Sequence, residues 1–222
     1  MPDDEILDTA SDSADSAAGT AGPAQAPVRK RPRPGERRVQ ILQALAAMLE
    51  QPGTERVTTA ALAARLEVSE AALYRHFASK AQMFEGLIDF IEQSVFTLVN
   101  QITERDAPAR EQAAQIVGVL LQFAEKNPGM TRVMAGDALV FENERLQQRM
   151  NQFFDKIEAQ LRQVLRSLPG DTEPSDTPTV DAQMRAAVLT AFAMGRMQRY
   201  ARSGFRHLPS EHLEALLALL LR

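Results

Sequence analysis

The chain predicts an all-α fold, a small N-terminal unit of three helices built on a helix-turn-helix and a larger C-terminal helical domain, and three observations carry that reading. Residues 58–80, TTAALAARLEVSEAALYRHFASK, hold two short apolar stripes separated by a turn, with Thr or Ser in front of each. Stripes with spacings of three and four fill most of the remaining chain. The longest, Leu139, Phe141, Leu146, Met150, Phe153, Ile157, Leu161, Val164 and Leu168, lies opposite a side of Arg, Gln, Glu and Lys, a coiled-coil-like pattern.

Residues 1–28 are Ala, Ser, Asp, Gly and Pro with hardly a bulky apolar group, and such a segment cannot bury enough surface to offset its ordering entropy. Together with the start of the basic stretch that follows, it is expected to form a disordered tail over residues 1–34. The stretch VRKRPRPGERR puts Arg29, Lys30, Arg31, Arg33, Arg37 and Arg38 around two prolines, which suits either a solubilising linker or an arm that contacts phosphates or a minor groove. Val39, Leu42, Leu45, Ala46 and Leu49 then mark a first helix over residues 36–51, ended by Pro52-Gly53.

In the helix-turn-helix, Thr58 or Thr59 caps a helix that buries Leu62, Ala63 and Leu66, and Val68 plugs the turn. Ser69 caps a second helix over residues 70–76, with Ala72, Leu73 and Phe77 facing inward. Its outward face carries Ser69, Glu70, Ala71, Tyr74, Arg75 and His76, small residues interleaved with long hydrogen-bonding ones. A major groove about 12 Å wide admits one such helix, and small residues let its backbone approach while Tyr and Arg reach phosphates or base edges. Helix-turn-helix pairs also occur as plain packing units, so spacing by itself leaves both readings open.

Charge favours the first. Residues 1–28 hold six acids and no Lys or Arg, residues 29–80 hold ten bases against five acids, and residues 81–222 hold fifteen against eighteen, giving −6, +5 and −3 and the total of −4. The positive field sits with the helix-turn-helix, where phosphate neutralisation needs it. The boundaries expected are therefore a tail over 1–34, a DNA-binding domain over 35–95 with its motif at 58–77, and a regulatory and dimerisation domain over 96–222. That domain holds the helix over 139–168.

Ser79-Lys80-Ala81-Gln82 has the spacing of a capping box and starts a helix to about residue 103 through Met83, Leu87, Ile88, Ile91, Val95 and Leu98. A helix over 110–126 stops at Asn127-Pro128-Gly129. A short one over 130–135 precedes Gly136. The acidic, turn-rich run over 169–179 is a loop, and helices over 181–202 and 211–222 close the chain. In the first of these, small residues such as Ala187, Ala191 and Gly195 permit close helix packing. The second is crowded with Leu213, Leu216, Leu217 and Leu220, more apolar surface than one globule covers, and a symmetric homodimer interface is the expected place for the excess.

The order T-x-x-x-L-A-x-x-L-x-V-S-x-x-x-L-Y-x-H-F-x-x-K, filled by Thr58, Leu62, Ala63, Leu66, Val68, Ser69, Leu73, Tyr74, His76, Phe77 and Lys80, resembles the TetR family of DNA-binding regulators. That family usually has Gly where this chain has Glu67. The resemblance implies double-stranded DNA as a partner and Thr58, Thr59, Ser69, Glu70, Ala71, Ala72, Tyr74, Arg75, His76 and Lys80 as the contact set. Farther on, IDFIEQS (88–94), FAEKNPGMTRVMAGDALVFE (123–142) and RLQQRMNQFFDKIEAQLRQVLR (145–166) resemble the nucleoid-occlusion members of that family, over roughly residues 37–209. Their likeness implies a cytoplasmic, nucleoid-associated dimer, able to assemble to higher order on DNA, that antagonises the tubulin-like division protein FtsZ. It also implies a groove for the FtsZ tail beside Phe90, Val119, Leu121, Lys126 and Asn127. Leu98 and Gln122 depart from the pattern of those relatives.

Other classes find little support. With no Cys there is no disulfide, thiolate metal site or cysteine nucleophile, and of the three histidines, His76, His207 and His212, the last two lie near the C-terminus with no carboxylate at a ligand spacing, so neither a metal nor another cofactor is expected. No apolar run approaches a membrane-spanning length and no basic-then-apolar leader opens the chain. Paired carboxylates, a nucleophile with its base and a phosphate-cradling Gly loop are all missing, so an enzyme is not expected. The second reading is a TetR-type repressor released from DNA by a small molecule, which would require polar groups pointing into an apolar cavity.

Overall fold

A computed structural model describes residues 35–51, 56–167 and 178–222, and it is helical throughout, with no strand among the described residues. The expected tail, the arm residues Arg29, Lys30, Arg31 and Arg33, the break at Pro52-Gly53, most of the acidic loop and Leu168 lie outside the described residues. Helix α1 (Glu36–Leu49) buries Ile41, Leu45, Ala46 and Leu49. Val39, expected inside, is exposed, because the helix turns Ile41 to the core instead. Arg37 and Arg38 belong to the first turn of this helix and not to an extended arm.

Helices α2 (Thr59–Arg65) and α3 (Glu70–Tyr74) form the helix-turn-helix, and α4 (Lys80–Thr103) follows from the Ser79 cap. The cap is reciprocal in a shifted register: the Ser79 hydroxyl accepts from the Gln82 amide at 3.2 Å, and the Gln82 side chain accepts from Ala78 N–H at 2.8 Å, one residue before the position a capping box uses. Helix α4 runs unbroken through the boundary expected at residue 95. Seven of its eight buried residues are the inward row Met83, Leu87, Ile88, Ile91, Val95, Val99 and Ile102, while Leu98 faces out.

Next come α5 (Ala109–Lys126), α6 (Pro128–Met134), a 3-10 turn over Asp137–Leu139, α7 (Glu144–Leu165), α8 (Pro178–Arg202) and α9 (Leu213–Leu220). The expected single helix over 139–168 is thus divided. Gly136 takes a left-handed φ of 84°, Leu139 is buried in the 3-10 turn, Val140 and Phe141 stand exposed, and the helix proper begins when the Asn143 side chain accepts from Arg145 N–H at 2.9 Å. Helices α4, α5, α7 and α8 pack together as the core of the C-terminal part, and α1 rests on α6 and the start of α4. Phe153 anchors this core, meeting the Phe96 and Phe154 rings edge-on at 5.7 and 5.1 Å.

Candidate nucleic-acid interface

Capping builds the helix-turn-helix. Thr58 accepts from Ala61 N–H at 3.2 Å and Ser69 from Ala72 N–H at 3.3 Å, so each short helix has one of its free amides satisfied. Between them Glu67 takes φ 53°, the left-handed conformation that glycine adopts freely and that costs a side-chain-bearing residue about 1 kcal/mol. The fold absorbs that cost because Leu62, Ala63, Leu73 and Phe77 are buried together beneath the turn.

Of the expected contact set, Ser69, Glu70, Ala71, Tyr74 and Arg75 are exposed along one face, with Thr58 beside them. Neither Tyr74 nor Arg75 forms a side-chain hydrogen bond or ion pair with the described residues, which leaves a phenol and a guanidinium free at the end of α3. Thr59 and Glu70 are already engaged with each other, the Thr59 hydroxyl donating to the carboxylate at 2.6 Å and tying α2 to α3. His76 is half-buried and Ala72 half-turned inward. Lys80 departs most from expectation: its ammonium pairs with Glu142, whose side chain is only 9% exposed, and lies 5.6 Å from the Phe84 ring centre. A carboxylate that far from water needs its cation, so the partly buried Lys80 is engaged within the fold by Glu142. Arg38 is likewise occupied, stacked 4.1 Å over Phe77 while donating to the His76 carbonyl, and so clamps α1 to the end of the recognition helix.

This headpiece is fastened to the rest through α4. Besides Lys80–Glu142, Arg145 pairs with Glu85 at 3.7 Å, Arg149 bridges Asp89 and Glu92, and Lys156 reaches Glu92 at 3.3 Å, so ion pairs follow the first half of α4 along α7. Burial works against the charge on Arg149, but the hydrogen bonds and proximity of Asp89 and Glu92 outweigh it and hold the guanidinium above its ordinary value.

The expected partner residues separate. Phe90 is 47% exposed on α4, Lys126 is exposed, and Val119 and Asn127 are half-buried, the last donating to the Phe123 carbonyl at 2.8 Å. Leu121 is 0% exposed and cannot touch a partner, because it falls on the inner face of α5 with Leu120 and Ala124. Below Phe90 the surface opens into a groove of about 930 Å³ that runs along α5 between the second half of α4 and α9. Leu98, Val119 and Gln122 line it. The contribution of α9 had no signal in the sequence, since it depends on where the last helix docks. Tyr200 donates to the Glu125 carbonyl at 3.2 Å and Ser210 bonds the Glu125 carboxylate, fixing the start of α9 beside the end of α5.

The same docking removes Leu217 from the dimerisation set. Leu217 is 6% exposed and packs into its own protomer, and Leu213, Leu216 and Leu220 are half-buried. What α8 leaves uncovered is a row of Val180, Met184, Val188, Ala191, Met194 and Gly195, with Ala187 half-covered beside it. The excess apolar surface is real but lies mostly on α8.

Comparison with known proteins agrees with this geometry. Residues 41–87 match the family of bacterial regulatory proteins called the tetR family, and residues 110–222 match an SlmA-like family described as the tetracyclin repressor-like C-terminal domain. Nucleoid occlusion factor SlmA of Vibrio vulnificus is 49% identical over 188 residues, covering 83% of this chain and 93% of that one. The same factor from Photobacterium profundum is 51% identical over 179 residues, 80% and 90% of the two chains. Among solved structures, a TetR-like transcriptional regulator from Rhodococcus superposes with a TM-score of 0.65 at 20% identity, covering 85% of this chain and 97% of that one. The fatty acid degradation regulator FadR of Bacillus halodurans gives 0.66 at 15%, over 86% and 97%; at such identities both speak for the fold alone. The chain belongs to the SlmA nucleoid occlusion factors, a branch of the TetR family of DNA-binding regulators.

Proposed function

We propose that this protein acts as a nucleoid occlusion factor: a dimer that reads chromosomal sites through α3 and, so bound, opposes assembly of FtsZ over the nucleoid. Residues 35–95 serve DNA in this reading and residues 96–222 serve the dimer and the partner, with the protein at the nucleoid in the cytoplasm. The observation that carries it is the pair Tyr74 and Arg75, unengaged by the described residues on the outward face of a capped and clamped recognition helix within a basic segment. Ser69, Ala71 and Thr58 leave room for the backbone to approach phosphates, and two copies related by a twofold would read half-sites about one helical turn apart. The ligand-released repressor gives way because the match over residues 110–222 is to the SlmA-like branch.

Two measurements test the proposal. Arg75→Ala weakens binding to a selected site by about 1 to 3 kcal/mol with relaxed specificity if it meets a base, and weakens all sequences alike if it meets phosphate. Unchanged electrophoretic shifts for both Arg75→Ala and Tyr74→Ala would remove α3 from the interface. For the partner, Phe90 offers aromatic area and Lys126 a cation at the rim, as an acidic and apolar tail requires. Lys126→Glu keeps DNA affinity and thermal stability but loses the FtsZ tail in fluorescence anisotropy. A wild-type protein that ignores the tail with and without DNA would overturn the partner assignment.

A further inference from the structure

Residues 182–210 hold five arginines and no acid, a charge of +5 equal to that of the segment carrying the helix-turn-helix and far from it in the chain. Three of the five are engaged within the protomer. Arg185 donates to the Arg222 carbonyl, Arg196 donates to the carbonyls of Leu208, Pro209 and Glu211 and so holds the turn into α9, and Arg206 donates back to the Ser203 carbonyl. Arg199 and Arg202 are exposed and form no hydrogen bond or ion pair with the described residues. With Gly195 they stand at spacings of four and three, on the face of α8 that Val188 and Ala191 continue. A cleft of about 370 Å³ opens there, lined by Gly195, Gln198, Arg199, Arg202 and Ser203. Glycine weakens a helix interior, yet a Cβ at Gly195 would meet no atom of the described residues within 4 Å, so nothing described in the protomer fills the space above it. Complementing the α8 dipole explains a basic residue in the last turn, but neither the glycine nor the lack of any acid.

The direction of α8 decides what these arginines meet. Helix α4 leads away from the recognition helix, and α7 runs beside it in the same direction, as the successive pairs Arg145–Glu85, Arg149–Asp89 and Lys156–Glu92 show. Helix α8 returns along α7 and ends where Tyr200 donates to the Glu125 carbonyl, at the last turn of α5 and against α6. So α8 points toward the headpiece. Two copies that read half-sites on one face of a duplex share a twofold along that direction, which lays each α8 parallel to its mate and brings like ends together. Arg199 and Arg202 then converge with their copies. Asp181, the one acid of α8, stands at its other end, about 27 Å away along the helix, too far to neutralise them. We infer that the dimer completes an anion site at this end of its seam, with Arg199, Arg202 and the Gln198 amide of each copy around the space over Gly195, and that its ligand is a compact phosphate-bearing polyanion of the pyrophosphate class. Four guanidinium groups facing one another repel unless a multiply charged anion lies between them, and their planar forks match phosphate oxygens in pairs. A single carboxylate carries too little charge. The Gln198 side chain has no hydrogen bond to the described residues and adds an uncharged donor. The inference rests on the dimer reading given above and adds to it a ligand that ties the two copies.

The test uses the full chain and inorganic pyrophosphate, with sodium chloride at matched ionic strength as the control. Isothermal titration should give one pyrophosphate per two chains, and sedimentation should show a dimer at least about tenfold tighter in about 1 mM pyrophosphate than in chloride, since a ligand held only by the dimer favours it by mass action. The double variant Arg199→Gln/Arg202→Gln, at two exposed positions, keeps its melting temperature and loses both effects. Without ligand it should dimerise about threefold more tightly, because the repulsion is gone. Binding of one pyrophosphate per chain that persists in a monomeric Met184→Glu variant would place the site inside one protomer and overturn the shared one. A dimer weakened by the double variant would overturn it too, by making the arginines direct contacts with the other copy. If pyrophosphate does not bind and the double variant flattens the salt dependence of DNA affinity, the cluster serves duplex phosphates instead. A wild-type dimer indifferent to pyrophosphate removes this site alone, whereas a wild-type chain that sediments as a monomer removes the dimer reading beneath it.

Discussion

Two buried glycines on neighbouring helices, Gly129 in α6 and Gly118 in α5, show opposite uses of a missing side chain. At Gly129 a Cβ would come within 2.0 Å of the Ala46 carbonyl oxygen, so α6 and α1 touch backbone to backbone and the headpiece is seated on the C-terminal part at that contact. Ion pairs along α4 and α7, and the Arg38 clamp, close the same end of the molecule. At Gly118 a Cβ would meet no atom of the described residues within 4 Å. One glycine is consumed by the fold, and the other leaves a space that the fold does not fill. A glycine in a helix therefore says nothing about its purpose until the surface opposite it is known.

The largest test of this contrast is Gly129→Ala. Because the obstructing atom is backbone and cannot rotate away, α1 must shift, and we expect a loss of about 3 kcal/mol or more in denaturant unfolding together with weaker DNA binding. A melt within a degree of wild type would show that α1 and α6 are less firmly seated than the geometry requires.

Next is the division between the faces of α8 and α9. Leu217→Glu buries a carboxylate in the protomer and should cost about 3 kcal/mol or more, whereas Met184→Glu, at a site 56% exposed, should leave the protomer's own stability within about 0.5 kcal/mol and abolish the dimer in light scattering. If Leu217→Glu melts like wild type but dissociates, the interface returns to α9.

Tyr200 sharpens the fastening of α9. Burial first, and then the Glu125 and Glu50 carboxylates, raise its phenol above the ordinary value of 10.0, so the folded state disfavours the phenolate. The stability this group contributes is present below pH 10 and is lost as pH rises from there through the higher folded value. Tyr200→Phe should cost about 1 kcal/mol at neutral pH, through the hydrogen bond to the Glu125 carbonyl, and should lessen the alkaline loss seen in urea titrations at rising pH. An identical alkaline profile in the variant would assign that loss to other groups.

The smallest effect is Gly118→Ala, expected to raise stability by about 0.5 to 1 kcal/mol through helix propensity alone. A destabilised variant would mean that the space above Gly118 is occupied in the free protein.

Much of this was legible in the chain. Thr58, Ser69 and Ser79 announced three helix starts, since a hydroxyl before an apolar stripe satisfies amides that nothing else can reach, and the structure uses all three as caps. The outward placing of Tyr74 and Arg75 and the stop at Asn127-Pro128 followed from equally local rules. The division of the expected helix over 139–168 was not legible, because Leu139 and Phe141 fit the helical spacing even though one lies in a 3-10 turn and the other in solvent.

By itself the sequence determined most of the helical segments, where most of them begin, which face of α3 looks outward and that the stretch of chain carrying it is basic, because caps, periodicity and charge act over a few residues. Only the tertiary structure decided what those residues meet. Lys80 is a phosphate contact by motif and an internal ion pair by position, Leu121 and Val119 differ by two residues and by which side of α5 the core occupies, and Leu217 looks like interface until α9 is laid against its own α5. Each of these turns on contacts between residues tens of positions apart, and the pattern along one helix carries no information about which neighbour will cover it.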